Sequence, residues 1–77
     1  MKIEYDDKYD MLYIRFDESQ QDTINQRLSD NIVIDIGSDN KIVGIEILNA
    51  NEILNLQAIL PIEYSMTRFK QKDLAVV

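Results

Sequence analysis

The sequence has no cysteine, no histidine and no tryptophan, and each absence closes a route. Without cysteine, neither a disulfide nor a thiolate zinc site can hold a small fold together. Without histidine, the usual base near neutral pH is missing, so Ser19, Ser29, Ser38 and Ser65 have nothing to activate them as nucleophiles. Two glycines are too few for a glycine-rich phosphate loop. No apolar stretch approaches the ~20 residues that cross a bilayer. The N-terminal MKIEYDDKYD is acidic where a signal peptide would be basic and then apolar, so the expectation is a cytoplasmic protein with no membrane contact.

What remains is a chain of 77 residues, 45% hydrophobic and 29% charged, which has room for one core. A domain of this size buries only ~60% of its unfolded surface, and one core rarely supplies more than ~3–5 kcal/mol. Oligomerisation is a common remedy, which makes a homodimer the expected state.

Charge is distributed unevenly. Residues 1 to 66 hold five Lys/Arg against thirteen Asp/Glu, a net of −8, whereas the end of the chain holds Arg68, Lys70 and Lys72 against Asp73. An acidic body repels a phosphate backbone, so the folded part is not expected to bind nucleic acid.

Alternation with the period of a strand marks Ile3 and Tyr5, then Leu12, Ile14 and Phe16, with a polar turn-forming interval at residues 6 to 10 between them. After the polar loop 17 to 22, alternation returns in Ile24, Gln26 and Leu28 and again in Ile32, Ile34 and Ile36. The Asp30-Asn31 step between them reads as a bulge or bend within one strand. Gly37-Ser38-Asp39-Asn40 makes a tight turn into a strand where Val43, Ile45 and Ile47 face together. Within that strand Gly44 suits a close approach by another backbone or a bulky ring.

The period changes at Asn49, an N-cap with Glu52 three residues on. Ile53, Leu56 and Leu60 then repeat at helical spacing until Pro61, predicting a helix of about three turns. Its apolar face is expected to be buried with Ile14, Ile34 and Ile45. The fold class is therefore α+β: a four-stranded antiparallel meander in the order 1-2-3-4 with one C-terminal helix on one face. A single sheet-plus-helix domain occupies residues 1–61, and an extended or partly helical arm occupies 62–77. In that arm Ile62, Tyr64 and Phe69 are too apolar for a solvated tail and are the candidates for contact with a second subunit.

Tyr5-Asp6, Asp10-Met11-Leu12-Tyr13-Ile14, Ile34-Asp35 with its turn, and the run Val43-Gly44-Ile45-Glu46-Ile47-Leu48-Asn49-Ala50 resemble the small bacterial domain-of-unknown-function family 2283. The likeness covers roughly residues 3 to 50. It implies a compact antiparallel sheet with a helix, no established activity and, from some members, partnership with small ribonuclease-type toxins. Members usually place glycine where this chain has Asn40, and asparagine is the next best residue for a positive φ. The segment after Pro61 has no counterpart in the family and inherits no role.

Two acidic groupings could carry chemistry. Asp6, Asp7 and Asp10 resemble a hard-cation site in composition but lack the alternate spacing of a calcium loop, and turn chemistry explains them more simply. Asp35 and Glu46, on the strands either side of the 37–40 turn, could form a carboxylate pair. Both oppose the isoleucine face, which places them on the less buried side with Arg15 or Lys41 as partners. The tyrosines Tyr5, Tyr9, Tyr13 and Tyr64, with Phe16 and Phe69, have too few cations beside them for base stacking and suit core and interface packing.

These features point to a non-enzymatic protein-interaction module without a cofactor, catalytic residue or metal. Its specific form would be an antitoxin-like partner whose acidic body masks a basic toxin. The alternative is a divalent-cation-dependent enzyme or ion-binding protein using Asp6, Asp7 and Asp10.

Overall fold

A computed structural model describes residues 1–59 and 61–68. Five strands form one antiparallel sheet: β1 (Lys2–Asp6), β2 (Met11–Arg15), β3 (Ile24–Arg27), β4 (Ile32–Ile36) and β5 (Ile42–Leu48). Their spatial order is β1-β2-β5-β4-β3. The antiparallel sheet with one short helix is as expected, whereas the four-stranded meander order is corrected in two places.

First, the Asp30-Asn31 bend is a full reversal, which splits the expected third strand into β3 and β4. The Leu28 and Ser29 amides donate to the Ile32 carbonyl at 2.8 and 3.3 Å, and Ser29 Oγ accepts from the Asn31 and Ile32 amides. Arg27 donates to the Ser29 and Asp30 carbonyls. This turn is closed by serine and arginine side chains, so the asparagine step alone understated it.

Second, β2 is paired with β5, not with the strand that follows it in sequence. The polar link after β2 carries the chain past two strand positions to the far edge, and β3, β4 and β5 return as consecutive hairpins. The reason is compositional: β5 is the longest strand and is rich in β-branched residues, and a central place covers both its edges. β3 (INQR) is exposed throughout and suits an edge.

The register assigns side chains to the two faces. One row runs Ile3, Ile14, Ile45, Ile34 and Gln26 across the sheet, and the neighbouring row on the same face includes Tyr5, Leu12, Ile47 and Ile32. The other face carries Glu4, Tyr13, Glu46, Val33 and Arg27 in one row, and Arg15, Gly44, Asp35 and Asn25 in the next. A register shift between Asp35 and Ile36 pairs Ile36 with Ile42 and leaves Val43 as the extra residue. Val43 thereby leaves the Ile45 and Ile47 row and lines a cavity beside Asp35, while its carbonyl accepts from the Phe16 and Asp17 amides.

The turn between β4 and β5 is a 3-10 turn at Ser38–Asn40, in which Asp39 and Asn40 take left-handed φ values of 60° and 58°. Asparagine thus occupies a left-handed position that glycine would favour.

The three-turn helix is corrected to one turn. α1 spans Ala50–Ile53, and a separate 3-10 turn follows at Leu56–Ala58, started by Asn55, whose side chain accepts from the Gln57 amide. Asn49 makes no cap bond. Its backbone is left-handed (φ 55°), and its side chain donates 2.9 Å to Asn31 Oδ1. With weak helix formers at 51 and 55, so short a segment has little propensity to continue. Ile53 is exposed, Leu54 and Leu56 are half-buried, and Leu60 lies outside the described residues. Leu56 and Ile59 sit over Ile3, Tyr5 and Leu12 at one end of the sheet, around a cavity of about 250 Å³.

The core is correspondingly small: Leu12, Val33, Val43 and Ala50 are its buried apolar residues. Ala50, fully buried at the corner where β5 becomes α1, donates its amide 2.9 Å to the Asp10 carbonyl. No helix among the described residues is long and apolar enough to cross a membrane.

Candidate functional site

The polar face holds an open cavity of about 370 Å³ over β1, β2, β5 and β4. Four carboxylates line it, from Glu4, Asp6, Asp35 and Glu46, against the single cation of Arg15; Tyr13 and Met11 supply its less polar wall. Strand alternation alone brings these groups together, because residues directly opposite in neighbouring strands share a face.

Asp35 is the buried charged residue among those described, with 7% of its surface exposed. Its Oδ2 accepts a hydrogen bond of 2.7 Å from the Tyr13 hydroxyl, a short bond strengthened by the carboxylate charge. Tyr13 and Asp35 are not on adjacent strands: β5 lies between them, and Gly44 is the β5 residue paired with Asp35. A Cβ at Gly44 would stand 2.5 Å from the Tyr13 hydroxyl oxygen and 3.2 Å from the Ile14 carbonyl oxygen. The absent side chain is what lets the ring cross, the close approach expected at this glycine. Asp35 Oδ1 accepts no hydrogen bond from any described residue.

The expectation for Asp35 and Glu46 is therefore corrected. Both do lie on the face opposite the isoleucines, yet Asp35 is buried, because the link between β2 and β3 folds over its end of the sheet. Gln21 anchors that link by accepting 2.8 Å from the Ser38 amide, and Asp17 gathers the Ser19 amide and hydroxyl and the Gln21 amide group. Bonds from Ser19 hold the Asp17 carboxyl below its usual range. Neither Arg15 nor Lys41 forms an ion pair with Asp35 or Glu46. The ion pairs among the described residues join the N-terminal amine to Glu18 (3.5 Å) and Lys2 to Glu4 (3.3 Å). Arg15 lies instead over the Tyr13 ring, 5.4 Å from its centroid.

Electrostatics in the cavity follow from burial. Partial burial pushes Glu46 above the usual carboxylate range, the Asp35 charge adds to this, and Arg27 opposes it. Burial also raises Tyr13, followed by its bond to Asp35 and the charge of that carboxylate, with Arg15 opposing. Tyr13 is thus held protonated as a hydrogen-bond donor and is no nucleophile at neutral pH. The arrangement is suited to holding a cation.

The acidic turn is organised differently. Asp6 Oδ1 accepts from the Lys8 and Tyr9 amides at 2.9 and 3.2 Å, and Asp7 is exposed. Asp10, left-handed at φ 52°, accepts 2.8 Å from the Tyr5 hydroxyl and 3.1 Å from both the Asn51 amide and its side chain. Asp10 therefore caps α1 from across the fold, the task that sequence spacing assigned to Asn49 and Glu52. No group of three or more carboxylates among the described residues is placed to hold a metal ion. Lys8 lies 5.2 Å from the Tyr9 ring, and none of the tyrosines is buried. Of the interface candidates, Ile62 and Tyr64 are exposed and Phe69 lies outside the described residues.

The family described as "Protein of unknown function (DUF2283)" matches residues 2–51, more than half of the chain, and the chain belongs to it. Neither a curated protein nor a solved structure matches.

Proposed function

We propose that this member of the family is a non-enzymatic protein-interaction module that pairs with a second copy of itself through the isoleucine face of the sheet. One observation carries the reading: that face is unfinished. α1 and the turn after it reach only the Leu12 end, while Ile14, Ile32, Ile34, Ile36, Ile45 and Ile47 are half-buried. Ile24, Leu28, Ile42 and Phe16 are 72, 56, 50 and 47% exposed, a run of large apolar side chains beyond what a small monomer ordinarily presents. A second copy would convert two half-covered sheets into one two-layer core. Ile62 and Tyr64, both exposed, would add to that contact.

The acidic body would then remain on the outside of a cytoplasmic dimer, where it suits a basic partner in the manner of an antitoxin masking a toxin. The Asp6 carboxylate is engaged by the Lys8 and Tyr9 amides of its own turn and the Asp10 carboxylate by Tyr5 and Asn51, which supports this reading over cation-dependent chemistry there.

Sedimentation of the full chain and of Ile34→Asp tests the pairing. A dimer at tens of micromolar that becomes a folded monomer in the variant supports it, with a buried area of at least ~1,000 Å² expected for a specific contact. A wild-type monomer at that concentration refutes it.

A further inference from the structure

Of the two edges of the sheet, β1 is guarded against further pairing and β3 is not. From this contrast we infer that β3 pairs edge to edge, antiparallel, with β3 of a second copy, so that two five-stranded sheets continue into one. The contact lies in the plane of the sheet and does not rest on the stacking of isoleucine faces proposed above.

A strand at an edge leaves a row of backbone donors and acceptors open, and proteins ordinarily blunt that row with charge, proline or a bulge. β1 is blunted: Lys2, Glu4 and Asp6 alternate along it, and Lys2 and Glu4 form an ion pair at 3.3 Å. β3 has neither proline nor lysine, and its pairing with β4 runs through without a register shift. Its one charge is withdrawn, since Arg27 donates to the Ser29 and Asp30 carbonyls of the adjoining turn. The whole strand is exposed, with Ile24 at 72% and the following Leu28 at 56%.

The register follows from the ladder. The Leu28 amide donates to the Ile32 carbonyl and Arg27 stands opposite Val33, so the positions bonded to β4 alternate as Leu28, Gln26 and Ile24. Asn25 and Arg27 therefore turn their amides and carbonyls outward. A two-fold axis at Gln26 sets Asn25 opposite the partner's Arg27 and Arg27 opposite the partner's Asn25, each pair exchanging both of its N–H···O bonds. The same register places Ile24 against the partner's Leu28 on the isoleucine face, at the close spacing of a pair without hydrogen bonds. An axis at Arg27 would oppose two guanidinium groups, and one at Asn25 would set Ile24 against the partner's Gln26. The Gln26 axis alone of the three matches apolar with apolar and keeps like charges apart.

Amide hydrogen exchange of the full chain at about 0.02 and 1 mM tests the inference. So short an edge falls well below a ~1,000 Å² interface, and a dissociation constant on the order of 0.1 mM is expected. The Asn25 and Arg27 amides should then exchange about fourfold more slowly at the higher concentration, with no such change along β1. A mixture of labelled and unlabelled chains should show an intermolecular Hα–Hα Overhauser contact between Ile24 and Leu28. Within one strand these two lie ~13 Å apart, and stacked sheets stand ~10 Å apart, so neither arrangement can produce it. Asn25→Pro removes an outward donor while sparing the β4 ladder, and should abolish the slowing at Arg27. If that variant does not fold, Ile24→Lys, at a largely exposed position, should abolish it by guarding the edge. Ile34→Asp, which breaks the stacked pairing, should leave the slowing in place, so the two contacts fail separately. Exchange independent of concentration, slowing confined to β1, or slowing unchanged in a folded edge variant would overturn the inference.

Discussion

The two faces of one sheet differ in how far each is completed by this chain. On the polar face, Tyr13 reaches across Gly44 to Asp35 and the 17–23 link folds down beside them, so a charged residue is more deeply buried than most of the isoleucines. On the isoleucine face, a single helical turn and a 3-10 turn cover one end, and the remaining rows stay half-open. Hydrophobicity of the strands alone therefore does not decide what is buried. Cover decides it, and the cover on each face comes from segments that carry no strand period.

Substitutions sharpen the contrast, beginning with the residue that permits the polar-face arrangement. Gly44→Val should cost about 3 kcal/mol or more, because its first carbon would already overlap the Tyr13 hydroxyl and press on the Ile14 carbonyl in a central strand. Urea denaturation should find this variant largely unfolded, as a loss of that size is a large share of a small domain's stability. On the other face, Leu12→Ala should cost about 2–4 kcal/mol, since Leu12 is only 3% exposed. Leu56→Ala, at a half-buried position, should cost about 1–2 kcal/mol, below the full range for a core leucine. Equal losses in the two leucine variants would mean that the face is closed to the same degree at both positions.

Tyr13→Phe should cost about 1.5–3 kcal/mol by stripping the donor from a buried carboxylate. The loss should depend on pH in a stated direction. Tyr13 is raised in the folded state above 10.0, so its contribution is complete below about pH 10 and disappears as pH climbs through the folded value. Wild type and variant should therefore converge in alkaline solution.

Glu46 gives the smallest effect. Its folded pKa lies above 4.5, so the stability associated with it is complete below about pH 4.5 and lost as pH rises through the folded value. Glu46→Gln should gain a few tenths of a kcal/mol at pH 7, discounted for its partial exposure, and nothing at pH 4. Thermal melts at the two pH values check both signs.

Local features were legible from sequence because each rests on a few adjacent residues. Alternation located the strand residues but ran β3 and β4 together as one strand, Asn40 adopted the left-handed backbone its place in the turn suggested, and Gly44 met the close ring. Features set by distant partners were not legible. The neighbour of β2 is β5 because a polar link carries the chain to the far edge, and no periodicity in that link announces its path. Asn49 and Glu52 have the spacing of a capping box, but Asp10 takes the task from about forty residues away. The burial of Asp35 depends on the same non-periodic link, so alternation could assign its face without revealing its cover. At the candidate site, sequence supplied the Asp35 and Glu46 pair but neither Tyr13 as the partner nor the free oxygen.

The contrast between a closed and an open face is tested most directly by isotope-filtered nuclear Overhauser measurements on an equal mixture of ¹³C-labelled and unlabelled protein at native pH. Contacts between isoleucine methyl groups of different molecules, involving Ile14, Ile34 and Ile45 and absent at Tyr13 and Val33, are the expected result. No intermolecular contact at Ile14, Ile34 and Ile45, or contacts confined to the polar face, would contradict the account.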